Sequence, residues 1–350
     1  MSGIALILNP YAGGNKTDRA RAGRLSKILG EHGTVHAPTN LDELESAIDR
    51  ALDTEPDVIA LCGGDGSYFR AFTVLDRRLG SDGWPLVLPL PAGTINNLTH
   101  AIKSHRSTPE SLLAEVVSDH SRGIAHELAD CDLFSVVALD VEGGHARETE
   151  AVRLEGPTRT GASNRAGDGA ATAPQAPEAI GYIFGCGMIV NFLRAYYAPP
   201  DPGALSAAWL ILRLMVSAIT RSALQAKIFQ PFEADVICDS ERVPHRAYRM
   251  LIASSVAAIG LGFKPFYLAG RKPGQFHVLG GPARATRLVR HLPRFYRGYP
   301  PCDPELYDNI GAELDVEFAR PTYYTVNGDL LGPATRLRVR RLRRITVIRG

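Results

Sequence analysis

Cysteine is sparse in this 350-residue chain, and what there is lies scattered. Cys62, Cys131, Cys186, Cys238 and Cys302 are odd in number and far apart, with no CxxC pair and no Cys/His cluster. That pattern excludes a zinc module and a disulfide framework. Long apolar runs are also missing. The longest, Ala204 to Ile219, is interrupted by Arg213 and is too short to span a bilayer. The start of the chain has no basic region leading into an apolar run and a cleavage site. No signal peptide is therefore read, and a cytoplasmic protein is expected, with membrane contact at most peripheral. There is no internal repeat. A basic face interleaved with stacking aromatics is absent too, so no nucleic-acid partner is expected. The Walker spacing, four variable residues between Gly and Gly-Lys-Ser/Thr, does not occur.

The remainder is ordinary globular material: 45% hydrophobic, 22% charged and a formal net charge of +2. The length suits two domains. Charge is uneven, since Leu331 to Gly350 carries seven arginines and no acid. Either that end faces an anionic surface or it is the solvated side of a strand.

The first part alternates strands and helices. Ile4–Leu8, Thr34–His36, Val58–Leu61 and Leu86–Leu90 read as strands, and 18–29 and Leu41–Leu52 as helices. Ser107-Thr108-Pro109-Glu110 reads as a helix start. Alternation of this kind implies a parallel sheet with helices on its faces. Past Leu128 short β-like runs take over: Leu133–Val141, Ala234–Cys238, Met250–Ser254, Leu314–Phe318, Arg336–Val339 and Ile345–Ile348. The expected fold is an α/β domain over residues 1–127 and a mainly antiparallel β-sandwich domain over 128–350. Residues 156–178, rich in Gly, Ala, Thr, Pro and Asn, read as a flexible insertion.

Three glycine-bearing turns carry the chemistry, each directly after a strand. They are Asn9-Pro10-Tyr11-Ala12-Gly13-Gly14-Asn15-Lys16, Gly63-Gly64-Asp65-Gly66-Ser67 and Pro91-Ala92-Gly93-Thr94-Ile95-Asn96-Asn97. In a parallel sheet all three emerge at the carboxyl edge, where ligands bind. Glycines leave backbone N–H groups open to an anion, and a helix N-terminus adds its positive dipole end. Lys16 offers a point charge, and Ser67, Thr94 and Asn96 offer neutral donors. One such turn is weak evidence; three at corresponding places point to a di- or triphosphate. Asp65 is the odd member, because a bare carboxylate repels phosphate. Three roles stand open for it: ordering Mg²⁺–ATP through water, accepting the proton of an attacking hydroxyl, or capping a helix.

These turns resemble the signature turns of the diacylglycerol kinase catalytic family, which includes sphingosine and ceramide kinases and bacterial lipid kinases. Thr39 sits where the family has a threonine near the nucleotide. Gly181–Asn191 is similar to the segment that opens the family's lipid-binding half. Lys264-Pro265 with Gly274–Val278 resembles a later strand region, and Val326-Asn327-Gly328-Asp329 occupies the place of a family Asp-Gly-Glu. The resemblance implies ATP and Mg²⁺ as cofactors, a lipid hydroxyl as phosphate acceptor and a location at the inner face of the membrane. Nucleotide contacts are expected from Asn9, Gly13, Gly14, Lys16, Thr39, Gly63, Gly64, Gly66, Ser67, Gly93, Thr94 and Asn96. Catalytic roles are expected for Asp65, Asp329 and Asn327, with Asp65 also the candidate metal ligand through water. An NAD kinase shares the look of the Gly-Gly-Asp-Gly turn and is the nearest alternative.

The chain departs from the family where the resemblance assigns the base. Asn327 stands where the family has aspartate, and an amide cannot take a proton at neutral pH. Asp65 or Asp329 then takes over, or the protein is a catalytically weak lipid and nucleotide binder. General-base help is worth about 10²–10⁴-fold and positioning supplies most of the rate, so an active kinase is expected. Asn97, where many relatives have aspartate, is a second departure. On the lipid side, Leu205, Trp209, Leu212 and Val216 at helical spacing suggest an apolar wall or a core helix. Arg284, Arg287, Arg290, His291, Arg294 and Arg297, interleaved with Leu288, Leu292 and Phe295, form a basic amphipathic helix. It suits either an anionic membrane surface or plain solvent.

Overall fold

The computed structural model describes residues 3–80, 83–102, 108–139, 178–198, 209–211, 213, 222–260 and 262–349. The expected insertion therefore lies outside the described residues, apart from its last position, and so does most of 204–219. Of the four residues expected to form the apolar wall, only Trp209 is described, and it is exposed.

The chain opens with four parallel strands: β1 (Ile4–Leu8), β2 (Gly33–His36), β3 (Val58–Gly63) and β4 (Leu86–Pro91). Their order is β2-β1-β3-β4, with Leu8 beside Cys62 and Gly63 beside Pro91. Strands β1 and β3 are buried along their whole length, as a parallel sheet covered on both faces requires. Ile4, Leu6 and Leu8 pack with Leu25 and Leu29 of α2 (Arg21–Leu29) and Leu112, Leu113 and Val116 of α6 (Pro109–Arg122). Ile7, Ile59 and Leu61 turn the other way, to Ile48 of α3 (Leu41–Leu52) and to Phe72 and Leu75 of α4 (Asp65–Leu79). Two short helices, α1 (Gly13–Thr17) and α5 (Asn97–Ala101), follow β1 and β4.

Local chemistry sets the helix starts. Asn40 Oδ1 accepts from Glu43 N at 2.8 Å, and the Glu43 carboxylate accepts from Thr39 N at 2.7 Å, a reciprocal cap on α3. Thr108 Oγ1 accepts from Ser111 N, with Pro109 in the first turn of α6. Helix α2 begins at Arg21 rather than at Asp18 because Asp18 ends α1 and its carbonyl accepts from Arg21 N in the connecting turn.

The second half is mainly antiparallel. Its strands are β5 (Leu128–Ala138), β6 (Glu178–Gly181), β7 (Ile183–Gly187), β8 (Phe232–Cys238), β9 (Glu241–Arg242), β10 (Ala247–Tyr248), β11 (Met250–Ser254), β12 (Phe276–Gly281), β13 (Tyr307–Gly311), β14 (Glu313–Val326) and β15 (Asp329–Ile348). Helices α7 (Met188–Tyr197), α8 (Ala223–Ile228) and α9 (Ala285–Arg297) lie among them. Strand β15 is the spine. It pairs antiparallel with β14 and β5, and near its end Val347 meets Val87 of β4 in parallel. The parallel sheet and the antiparallel half are thus hydrogen-bonded into one sheet.

The C-terminal arginines lie on this spine and are largely paired. Arg338 meets Asp315 at 2.6 Å, Arg340 meets Glu313 at 2.7 Å, Arg343 meets Asp76 at 2.8 Å and Arg344 meets Asp132 at 2.9 Å. Of the two readings of that charge run, the strand face is the one observed. Among the described residues no helix is long and apolar enough to cross a membrane.

Candidate active site

The sheet order places a reversal of connection between β1 and β3, because the chain goes from β1 outward to β2 and then crosses to β3. Ligand crevices form at the carboxyl ends of strands flanking such a reversal. A cleft is present there, lined by Asn9, Tyr11, Thr39, Asn40, Cys62, Ser67 and Arg70.

All three glycine turns come together at this edge. Asn9 Nδ2 donates to Ser67 Oγ at 2.8 Å, which ties the first turn to the second. Gly14 N donates to Ala92 O at 2.8 Å, which ties the first to the third. A Cβ on Gly64 would lie 2.9 Å from Gly93 Cα, so the second and third turns touch backbone to backbone and only glycine fits. Asn96 takes a left-handed conformation (φ 54°), and its side chain exchanges two 2.8 Å hydrogen bonds with Gly93, holding the third turn closed. Asn15 is buried beneath the first turn, its amide donating to Asn9 O at 2.7 Å. Helix α4 starts at the centre of this cluster, presenting the open N–H groups of its first turn.

Asp65, the first residue of α4, is buried and fully engaged. Its carboxylate accepts from Asn97 N at 2.9 Å, from Leu98 N at 3.3 Å and from the Tyr182 hydroxyl. Burial raises the Asp65 carboxyl above the usual carboxylate range, against the opposing pull of these three donors. Burial and the adjacent Asp65 in turn push the Tyr182 phenol well above its ordinary value. Asp65 thus caps α5 rather than its own helix, and it joins the second turn, the third turn and the antiparallel half in one contact.

Asn327 and Gly328 form the two-residue turn of the β14–β15 hairpin, with Val326 paired to Asp329 and φ values of 51° and 95°. Asn-Gly with positive φ at both positions is the favoured tight hairpin turn. Asn327 is buried, and its Oδ1 accepts from Tyr182 N at 3.0 Å and Ile183 N at 2.9 Å. Its Nδ2 has no hydrogen-bond partner among the described residues. The hairpin carries Asp329 to the start of α4, where a Cβ on Gly66 would come within 2.8 Å of Asp329 Oδ1. Arg70, one turn further along α4, pairs with Asp329 at 3.3 Å. Helix α7 closes the far side, with the Tyr197 hydroxyl donating to Gly328 O at 3.4 Å and Tyr196 facing Thr94.

Of the residues singled out in the sequence, Asn9, Gly13, Gly14, Gly63, Gly64, Gly66, Ser67, Gly93, Thr94 and Asn96 share this cluster with Asp65, Asn327 and Asp329. Thr39 stands on the cleft rim, its hydroxyl already donating to Glu43. Lys16 is exposed on α1. Arg70, Tyr182, Tyr196 and Tyr197 were not anticipated. Arg70 follows Gly66 by four residues, and that spacing on a helix was the available signal. The tyrosines had none, because their approach depends on pairing across the sheet. Among the described residues, no group of three or more His, Cys, Asp or Glu is placed to hold a metal. With Asp65 occupied, a Mg²⁺ ion would be carried mainly by phosphate oxygens and water, as this ion commonly is.

Residues 3–127 match the sequence profile of the diacylglycerol kinase catalytic domain. No curated protein matches the chain. Among solved structures, a diacylglycerol kinase from Bacillus anthracis str. Sterne is similar over 100% of this chain and 97% of its own, with a TM-score of 0.59 and 11% identity. A second from that organism, of a proposed diacylglycerol kinase, matches over the same shares with a TM-score of 0.61 and 12% identity. At such identities the likeness is one of fold. The architecture is therefore an α/β domain of the kind found in diacylglycerol and NAD kinases, continued by an antiparallel half. The N-terminal domain belongs to the diacylglycerol kinase catalytic family.

Proposed function

We propose that this protein is a lipid kinase that moves the γ-phosphate of ATP, screened by Mg²⁺, to a hydroxyl of a membrane lipid. The observation that carries the reading is the backbone contact of the second and third glycine turns at the start of α4, with Asp329 delivered to the same point. The open backbone of Gly64 and Gly93 and the side chains of Asn9, Ser67 and Thr94 would hold the phosphates. Asp329 would accept the proton of the lipid hydroxyl while that oxygen bonds to the γ-phosphorus and the bond to ADP breaks. Arg70 would hold Asp329 in place, and Asp65 would act as a positioning residue. The antiparallel half, folded as a sandwich, would bind the lipid, and the protein would work at the cytoplasmic face of a membrane.

Diacylglycerol, ceramide and sphingoid bases are the candidate acceptors. Labelled ATP offered with each of them, and separately with NAD, tests the proposal when products are identified by mass. Label in one lipid product supports it. Label in NADP alone sinks it and favours the NAD kinase reading. A second reading rests on Asn327, whose acceptor oxygen is committed to Tyr182 N and Ile183 N. A non-catalytic lipid and nucleotide binder predicts ATP binding without turnover on any acceptor, with turnover appearing in Asn327→Asp.

A further inference from the structure

Tyr182 stands between β6 and β7 with no exposed surface, in one core with Tyr68, Phe72 and Leu98. Its three polar atoms each reach a different element. The hydroxyl donates to Asp65, at the start of α4. The backbone N donates to Asn327 Oδ1, in the β14–β15 turn, at 3.0 Å. The backbone O accepts from Ser255 N at 3.0 Å and from Ser254 Oγ at 3.2 Å, at the end of β11. A buried tyrosine needs a partner for its hydroxyl. Tyr68 meets that need plainly, with the carbonyl of Leu90 at 3.1 Å. Tyr182 instead meets a carboxylate that also accepts from Asn97 N and Leu98 N and so holds the third glycine turn.

The other end of the contact is equally specific. Asn327 is held three times by two consecutive residues. Its Oδ1 accepts from Tyr182 N and from Ile183 N at 2.9 Å, and its own N donates to Ile183 O at 2.8 Å. The close approach needs glycine at 181, where a Cβ would lie 2.5 Å from Val326 Cγ1 and 2.9 Å from Asn327 Oδ1. Two residues past Asn327, Asp329 pairs with Arg70, back on α4. The contacts therefore close a ring: Asp65, Tyr182, Asn327, Asp329, Arg70, and along α4 to Asp65 again. In a closed ring no member shifts alone, and removing one link frees the rest.

We infer that Tyr182 is a positioning residue that sets the distance from the phosphate cradle to Asp329 through its hydrogen bonds to Asp65 and Asn327. The inference rests on the lipid-kinase reading for the reaction that this distance serves. With no exposed surface, Tyr182 acts through these partners and not on the substrate. Phosphoryl transfer draws most of its rate from positioning, and a misplacement of about 1 Å can cost on the order of 10²-fold.

Tyr182→Phe in the full-length protein keeps the ring in the core and removes one link. Val116→Ala, in the core beneath α6 and away from the site, is the control for lost stability. Urea midpoints should fall in both variants. With ATP and the acceptor lipid saturating, kcat should fall at least about tenfold in Y182F alone, with KM for ATP unchanged. Hydrogen exchange read by mass spectrometry needs no turnover. Segments 93–99 and 326–330 should exchange at least about fivefold faster in Y182F, as loss of one buried hydrogen bond implies, and at the wild-type rate in V116A. Wild-type exchange of both segments in Y182F would overturn the inference. So would an unchanged kcat, a kcat loss of equal size in V116A, or an effect confined to KM for ATP. Absence of turnover on any lipid in the wild type would sink the kinase reading while leaving the exchange rates to judge the ring.

Discussion

A carboxylate that accepts from two backbone N–H groups and a phenol has little capacity left for a metal or a proton. Asp65 is in that position, and its substitution should be felt first in stability. Asp65→Asn turns an amide donor toward groups that are themselves donors. The expected cost is about 1–3 kcal/mol, the usual penalty for leaving buried polar groups unsatisfied, read as a lower urea midpoint. Asp329→Asn should behave in the opposite way. Its side chain is partly exposed and paired to Arg70 across 3.3 Å, so the fold should survive. Its kcat should fall at least about 10²-fold, the low end for a lost base, with KM for ATP little changed. Equal kinetic and stability losses in both variants would contradict this division of labour. The sequence showed both aspartates as acids near a phosphate site. It did not show which one is taken up by structural hydrogen bonds, because that depends on Tyr182 arriving from the antiparallel half.

Elements marked by an unbroken aliphatic run or by helical spacing of apolar residues were legible in the sequence. The aliphatic run Ile4–Leu8 and the i, i+3, i+4 spacing of Leu41–Leu52 have the observed bounds. The two longest strands were not. Arg336–Val339 and Ile345–Ile348 read as separate strands but belong to β15, where the register with β5 shifts between Arg341 and Arg343. A bulge breaks the period of two, so one strand reads as two pieces. In the same way Leu314–Phe318 is only the regular start of β14, which continues past the irregularity after Glu317. The hairpin between β14 and β15 has its own signature in Asn327-Gly328, which served as a site motif and is also a two-residue hairpin turn. Gly328→Ala places a Cβ where φ is 95°. It should destabilise the protein by roughly 1–2 kcal/mol, the cost of forcing a side chain into that region, as measured by thermal unfolding. An unchanged melting temperature would mean that the turn relaxes freely and does not hold Asp329 in place.

At the scale of the whole molecule, the antiparallel half is bonded to the parallel sheet through β15 and β4, and Asp65–Tyr182 and Arg70–Asp329 cross between them. Two halves sharing a sheet and a buried polar link should unfold together. Calorimetry should show one transition, with the calorimetric enthalpy matching the van't Hoff value; two resolved transitions would contradict the shared sheet. That joining was invisible in the sequence, where a change of texture near Leu128 marks only the switch from parallel to antiparallel pairing. The central claim remains that three turns cradle one polyphosphate. Titration calorimetry of magnesium-bound ATP into the full-length protein tests it most directly, with Gly93→Val as the comparison. The account predicts saturable binding by the wild type and binding at least about tenfold weaker in the variant, one factor of ten being about 1.4 kcal/mol. A wild-type protein that takes up no nucleotide, or a variant that binds as well as the wild type, would contradict it.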